Sequence, residues 1–162
     1  MRLEIHTSAD DLRAHGPLLA SLGATVAEGK KEWLDYFRVL CSADALLLPI
    51  SFSSGARTFM RYSIPGKLAE YCATGLPILS YAPPDVAQSS EARRFGYAEV
   101  VDSQDPDAIR RGIRIVMFDA ERRQALRTKS AEHLRARYSP MLMRERLRHS
   151  LATAAYGRDG TA

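Results

Sequence analysis

The chain has 162 residues, 46% of them hydrophobic, with 23 Lys and Arg against 19 Asp and Glu and a net charge of +4. This is enough apolar material for one compact domain with a sizeable core, while the longest apolar run, Ala45 to Ile50, is far too short to span a bilayer. The basic excess (Arg110, Arg111, Arg114, Arg122, Arg123, Arg127) is interspersed with Asp107, Asp119, Glu121 and Glu132 and lacks interleaved aromatics, which argues for solvated helix faces over a nucleic-acid stripe and leaves at most a peripheral membrane contact.

The charged start, Met1-Arg2-Leu3-Glu4-Ile5, is unlike a signal peptide. Cys41 and Cys72 have neither metal nor redox spacing and read as buried thiols, so a cytoplasmic location is expected.

In chain order, Arg2–His6 reads as a strand, followed by a helical stretch from Ser8 that Gly16-Pro17 is expected to interrupt. Ala24–Glu28 is a second strand. A helix from about Lys30 to Cys41 presents Trp33, Phe37 and Leu40 at helical spacing. Leu46–Pro49 reads as a buried strand and Ser51–Gly55 as the start of a flexible loop that runs to Arg61.

Pro65 suits the first turn of a short helix, Gly75 its left-handed close, and Pro77 prevents its continuation before a strand over Pro77–Tyr81. A last strand over Ala98–Val101 precedes helices over Asp105–Phe118, Ala120–Arg137 and Met141–Ala155, and a polar tail from Tyr156 to Ala162. Strands alternating with helices predict an α/β fold with a Rossmann-like parallel sheet of about five strands and helices on both faces. Ligands of such sheets bind beyond the carboxyl ends of the strands, so the loops after His6, Pro49 and Tyr81 are expected to line one cleft.

The most informative stretch is Ser63-Ile64-Pro65-Gly66-Lys67-Leu68-Ala69-Glu70-Tyr71-Cys72-Ala73-Thr74-Gly75-Leu76-Pro77-Ile78-Leu79. Free amides at a helix start form an anion site, and a carboxylate one turn on, Glu70, can accept two vicinal hydroxyls of a ribose. A nucleoside diphosphate offers that pairing. The segment is not a P-loop, because Arg61 stands where the first Gly is required and Leu68 where Ser or Thr binds magnesium.

This pattern resembles the nucleotide-sugar motif of the group 1 retaining glycosyltransferases, which have the GT-B fold. Leu34 to Ser51 resembles the helix and strand that precede the motif in that family, and Phe95 to Val101 with Asp105 to Ile109 the last strand and following helix. The resemblance covers about Leu22 to Leu151.

It implies a donor-nucleotide-binding-like domain over residues 1–155, similar to part of a GT-B C-terminal domain, that binds a nucleotide-diphosphate sugar within a retaining sugar-transfer system. It implies neither a metal nor another cofactor. Glu70 is then the ribose ligand, and Ser63, Ile64, Pro65, Gly66 and Lys67 face the diphosphate.

Two departures stand out. The chain is expected to start at the family's second strand, without the additional first strand and glycine-containing loop that supply an Arg and a Lys for the phosphates and without the acceptor domain, and so to be catalytically incomplete alone. The second Glu that the family often places eight positions before the first is here Tyr62. Arg57 and Arg61 are candidates to replace the basic pair, and Ser53 and Ser54 are candidate sugar or phosphate contacts. No catalytic residue is assigned.

The alternative expectation is a non-catalytic nucleotide- or partner-binding module. Leu142, Leu147 and Leu151 are read as one side of the last helix, which is expected to dock on a separate acceptor-domain chain or on a second copy.

Overall fold

The computed structural model describes residues 1–29 and 32–156. Its elements are β1 (Glu4–Thr7), α1 (Ala9–Ser21), β2 (Thr25–Glu28), α2 (Trp33–Cys41), β3 (Leu46–Pro49), α3 (Ser54–Met60), α4 (Lys67–Thr74), β4 (Ile78–Tyr81), α5 (Ala87–Phe95), β5 (Glu99–Val101), α6 (Pro106–Phe118), α7 (Ala120–Tyr138) and α8 (Pro140–Tyr156). The strands form two parallel sheets, β1-β2 and β3-β4-β5, in place of the single sheet expected. Among the described residues β3 pairs only with β4, and β1 only with β2. Contacts divide the chain into two units, Met1–Ser42 and the part from Ala43 onward. The stretch of the expected polar tail from residue 157 to 162 lies outside the described residues.

In the first unit β1 and β2 run parallel, with Glu4 opposite Thr25 and Thr7 opposite Glu28. The crossover helix α1 opens at Ser8, whose hydroxyl accepts the Asp11 amide, with Asp10 and Asp11 in the first turn where negative charge suits the dipole. Contrary to the sequence expectation, α1 runs unbroken through Gly16-Pro17. Pro17 and the residue four before it, Arg13, are both exposed, so the carbonyl that loses its helical partner lies on the solvent face.

Helix α2 begins at Trp33; the anticipated start at Lys30 lies outside the described residues. It buries Leu40 and stacks Trp33 on Phe37 at 5.6 Å. Cys41 is exposed, not buried as expected, because its neighbour Leu40 takes the inward position and the next residue is turned about 100° away.

In the second unit Leu46 pairs with Ile78 and Pro49 with Tyr81, and β4 continues to β5 with Leu79 opposite Glu99. Alternation along β4 sends residues to two cores. Ile78 joins Leu48, Leu68, Cys72, Ala92 and Tyr97 beneath α4 and α5, whereas Leu79 joins Val101, Val116 and Leu126 beneath α6. Helix α7 serves both, with Leu126 in one core and Leu134 packed against the other.

The close fit of α6 depends on Gly112. A Cβ there would stand 2.4 Å from a Val101 methyl and 3.1 Å from a Leu79 methyl. Strand β3 buries Leu46 and Leu48 but leaves Leu47 39% exposed, so only alternate residues of the expected buried strand are covered.

Two further corrections concern the segments around the carboxyl edge of this sheet. Residues 54–60, read from sequence as loop, form α3, capped by Ser53, whose hydroxyl accepts the Ala56 amide. Helix α5 had no sequence expectation. Its inward residues are Gln88, Ser89 and Ala92, so no apolar period announced it.

Most polar atoms of these groups are bonded, the exception among the described residues being Gln88 Oε1. Gln88 Nε2 donates to the Leu48 carbonyl and to Ser80 Oγ, both at 2.8 Å, and Ser89 Oγ donates to the Pro83 carbonyl at 2.7 Å. Ser130 of α7 likewise donates to the Tyr97 carbonyl at 3.0 Å.

Candidate functional site

The connection β3–α3–α4–β4 crosses between adjacent parallel strands. Helix α4 therefore returns toward the amino end of β4, and its own N-terminus lies toward the carboxyl ends of the strands, where α/β sheets bind ligands. Gly75 closes α4 with φ 68°, the left-handed conformation anticipated from the sequence, and its amide donates to the Cys72 carbonyl. Leu68 and Cys72, four apart, are both buried and anchor the helix to the core. Burial pushes the Cys72 thiol up to about 11, so it is a packing group rather than a nucleophile.

At the other end the helix starts at Lys67, with Gly66 as N-cap and no side chain capping it. Pro65 thus stands just before the helix rather than within its first turn. Its carbonyl accepts the Leu68 amide at 3.0 Å. Gly66 has φ −56°, which any residue can adopt, and a Cβ there would meet nothing within 4 Å, so the fold itself does not demand glycine. Glu70 sits in the first turn, partly buried. Its charge and the burial of the ring both hold the neighbouring Tyr71 phenol above its usual range, burial being the larger cause.

The other sequence candidates separate into distinct roles. Ile64 packs against the core of Leu48, Leu68 and Ile78, so its side chain faces inward and only its backbone can meet a ligand. The Ser63 amide donates to the Met60 carbonyl at 3.4 Å, joining the end of α3 to the approach of α4. Ser53 is committed as the α3 cap, and Ser54 is the first residue of that helix, exposed. Tyr62 is 87% exposed, with the Arg61 guanidinium 5.6 Å from its ring centre. Lys67 is exposed.

Arg57 holds a partner that sequence reading missed. Its Nε donates to Asp85 Oδ1 at 3.1 Å and its Nη2 to Asp85 Oδ2 at 2.9 Å, a two-point ion pair between α3 and the loop after β4. Arg57, first among the causes, and Arg61 by its charge hold the Asp85 carboxyl below its usual range. The backbones on either side are fixed. Met60 of α3 packs on Ile50, Ala82 and Val86, and the Pro83 carbonyl receives Ser89 Oγ. The loops after Pro49 and Tyr81, two of the three expected to line one cleft, are in this way brought together.

His6 lies in the first unit, where its Nε2 is 2.8 Å from Glu4 Oε1 on the same strand. Among the described residues no group of three or more His, Cys, Asp or Glu side chains converges to hold a metal ion, and no helix is long and apolar enough to cross a membrane.

Compared with solved structures, the chain resembles the crystal structure of WaaG, a glycosyltransferase involved in lipopolysaccharide biosynthesis. The TM-score is 0.56 at 14% identity, over 85% of this chain and 34% of that one. The fold is glycosyltransferase-like. Parallel strands flanked by helices match part of a GT-B Rossmann-like domain, and the chain spans about a third of the structure it matches. No protein-family model matches the chain, and no curated protein matches it.

Proposed function

We propose that the chain binds the nucleoside diphosphate portion of a nucleotide sugar at the N-terminus of α4, as the donor-side part of a retaining sugar-transfer system. The observation that carries this reading is the placement of Glu70 in the first turn of a helix that opens without a side-chain cap at the carboxyl edge of a parallel sheet. The backbone amides of Gly66 and Lys67 meet the phosphates, the helix dipole favours their charge, and the Glu70 carboxylate accepts hydrogen bonds from the two ribose hydroxyls. The glycosyltransferase-like fold supports the assignment. Fixed amide dipoles stabilise a leaving diphosphate most as its charge develops, which is the contribution such a site makes to transfer. The acceptor and the opposite wall of the reaction site come from a separate domain or chain.

A second reading, a binding module without turnover, is favoured by one residue. Tyr62 stands where the resembled family often carries a sugar-contacting Glu, and a phenol cannot accept hydrogen bonds as a carboxylate does.

Calorimetry with UDP, GDP and ADP tests the site. Glu70→Ala is expected to weaken the best of the three by about 1–3 kcal/mol, whereas Glu132→Ala, on the outer face of α7, leaves binding unchanged. Equal affinities in the two variants would assign Glu70 to the surface.

A further inference from the structure

Arg57 is a poor phosphate ligand as it stands, because a carboxylate already fills its fork. The pair joins residues 28 apart in sequence and is half exposed on both sides, at 48% and 46%, so solutes reach it. Its two backbones are held by the packing of Met60 on Ile50, Ala82 and Val86 and by the bond from Ser89 to Pro83. Rotation of the two half-exposed side chains is therefore sufficient to open the pair. Arg61, one helical turn beyond Arg57, adds its positive charge to the field around Asp85. A guanidinium fork takes a carboxylate or a phosphate with equal geometric ease, and a diphosphate brings more charge than one carboxylate.

We propose that Asp85 is a built-in competitor of the diphosphate: its carboxylate pairs with Arg57 and yields it to the phosphates on binding. This rests on the reading that the α4 entrance takes a nucleoside diphosphate, and it adds what sets the affinity there. Asp85 lowers the attraction of the site for any single anion and is displaced by a ligand that engages both the amides of α4 and the Arg57 fork. No bond is made or broken; one ion pair is exchanged for another.

The test is a double-mutant cycle read by calorimetry with UDP and with inorganic pyrophosphate. Asp85→Asn is expected to tighten both by about two- to fivefold, the range of a half-exposed ion pair. Arg57→Gln is expected to weaken both, and the double variant to match Arg57→Gln alone, because the gain from removing the competitor requires Arg57. Asp85→Ser serves as the second substitution, since the Asn amide can still bond the guanidinium.

Thermal unfolding checks that each variant is folded. Loss of folding in both Asp85 variants would make the pair a structural clamp and overturn the proposal. An unchanged or weaker affinity in folded Asp85→Asn and Asp85→Ser, with Glu70→Ala still impaired, would overturn the competition while leaving the donor site standing. An equal gain with and without Arg57 would reduce Asp85 to general charge repulsion and also overturn it. Absence of nucleotide and pyrophosphate binding in every form would remove both the competition and the site.

Discussion

His133 illustrates how a single residue carries an environmental dependence into the fold. It is 4% exposed on α7, packed among the rings of Phe95, Tyr97 and Tyr138, with Glu91 and Arg137 as the charged groups around it. Burial is the main cause that lowers its pKa below the ordinary value, with Arg137 in the same direction and Glu91 opposing. Its Nε2 and the Tyr97 hydroxyl are both buried without a hydrogen-bond partner among the described residues, so a proton added at Nε2 gains no acceptor. The sign follows from linkage. As pH falls past the ordinary His value, about 6.5, the unfolded chain takes the proton first, so stability is full above that pH and declines as the pH approaches the lower folded value. The urea midpoint is accordingly expected to drop between pH 7 and pH 5, and His133→Phe to flatten that drop. A midpoint with the same slope in both proteins would show that other groups are responsible.

Among the elements, the contact of α6 with β5 has little tolerance at Gly112. Gly112 lets the helix backbone approach Val101 and Leu79, and the branched Val101 side chain cannot swing away as a long flexible one can. Gly112→Ala is therefore expected to lower stability by about 1–3 kcal/mol through overpacking, despite the better helix propensity of alanine. Chemical denaturation measures it, and a variant as stable as the parent would mean that β5 shifts freely.

The elements also show what could be read in advance. Strands β3 and β4 and helices α4, α6 and α7 announced themselves through apolar runs, a Gly75 stop and an Asp105 cap followed by proline. Helix α5 did not, because its buried face is amide and hydroxyl, satisfied by partners 40 and 8 residues away in the case of Gln88. Helix α3 was hidden by a Ser-Ser-Gly start that serves equally as cap or loop. The framework around the candidate site was legible where it rests on local pattern, at helix α4 and its Gly75 stop. It was not legible where it depends on long-range pairing, as between Arg57 and Asp85.

For the molecule as a whole, the last helix is the open question of partnership. Within α8, Leu142 is partly buried whereas Leu147 and Leu151 are each 60% exposed. The sequence expectation of a single side formed by all three fails, because a spacing of five turns Leu142 about 140° from Leu147. The continuous stripe is Met143, Leu147 and Leu151, at successive spacings of four, all exposed. Such a stripe is expected to be covered by association, with a second copy or with an acceptor-domain chain. Sedimentation should show the full chain self-associating at micromolar concentration and residues 1–139 much less so. A monomeric full chain would leave the stripe without a partner of its own kind.

The Gln88 side chain has a consequence for how the second unit opens. One amide group holds the carbonyl of Leu48 in β3 and the hydroxyl of Ser80 in β4 while its own backbone belongs to α5. Detaching any one of the three breaks at least one hydrogen bond of a fully buried amide. Piecemeal fraying is thereby closed off for this part of the chain. Protection of backbone amides against deuterium should then be lost in β3, β4 and α5 at one common rate, as a single cooperative block.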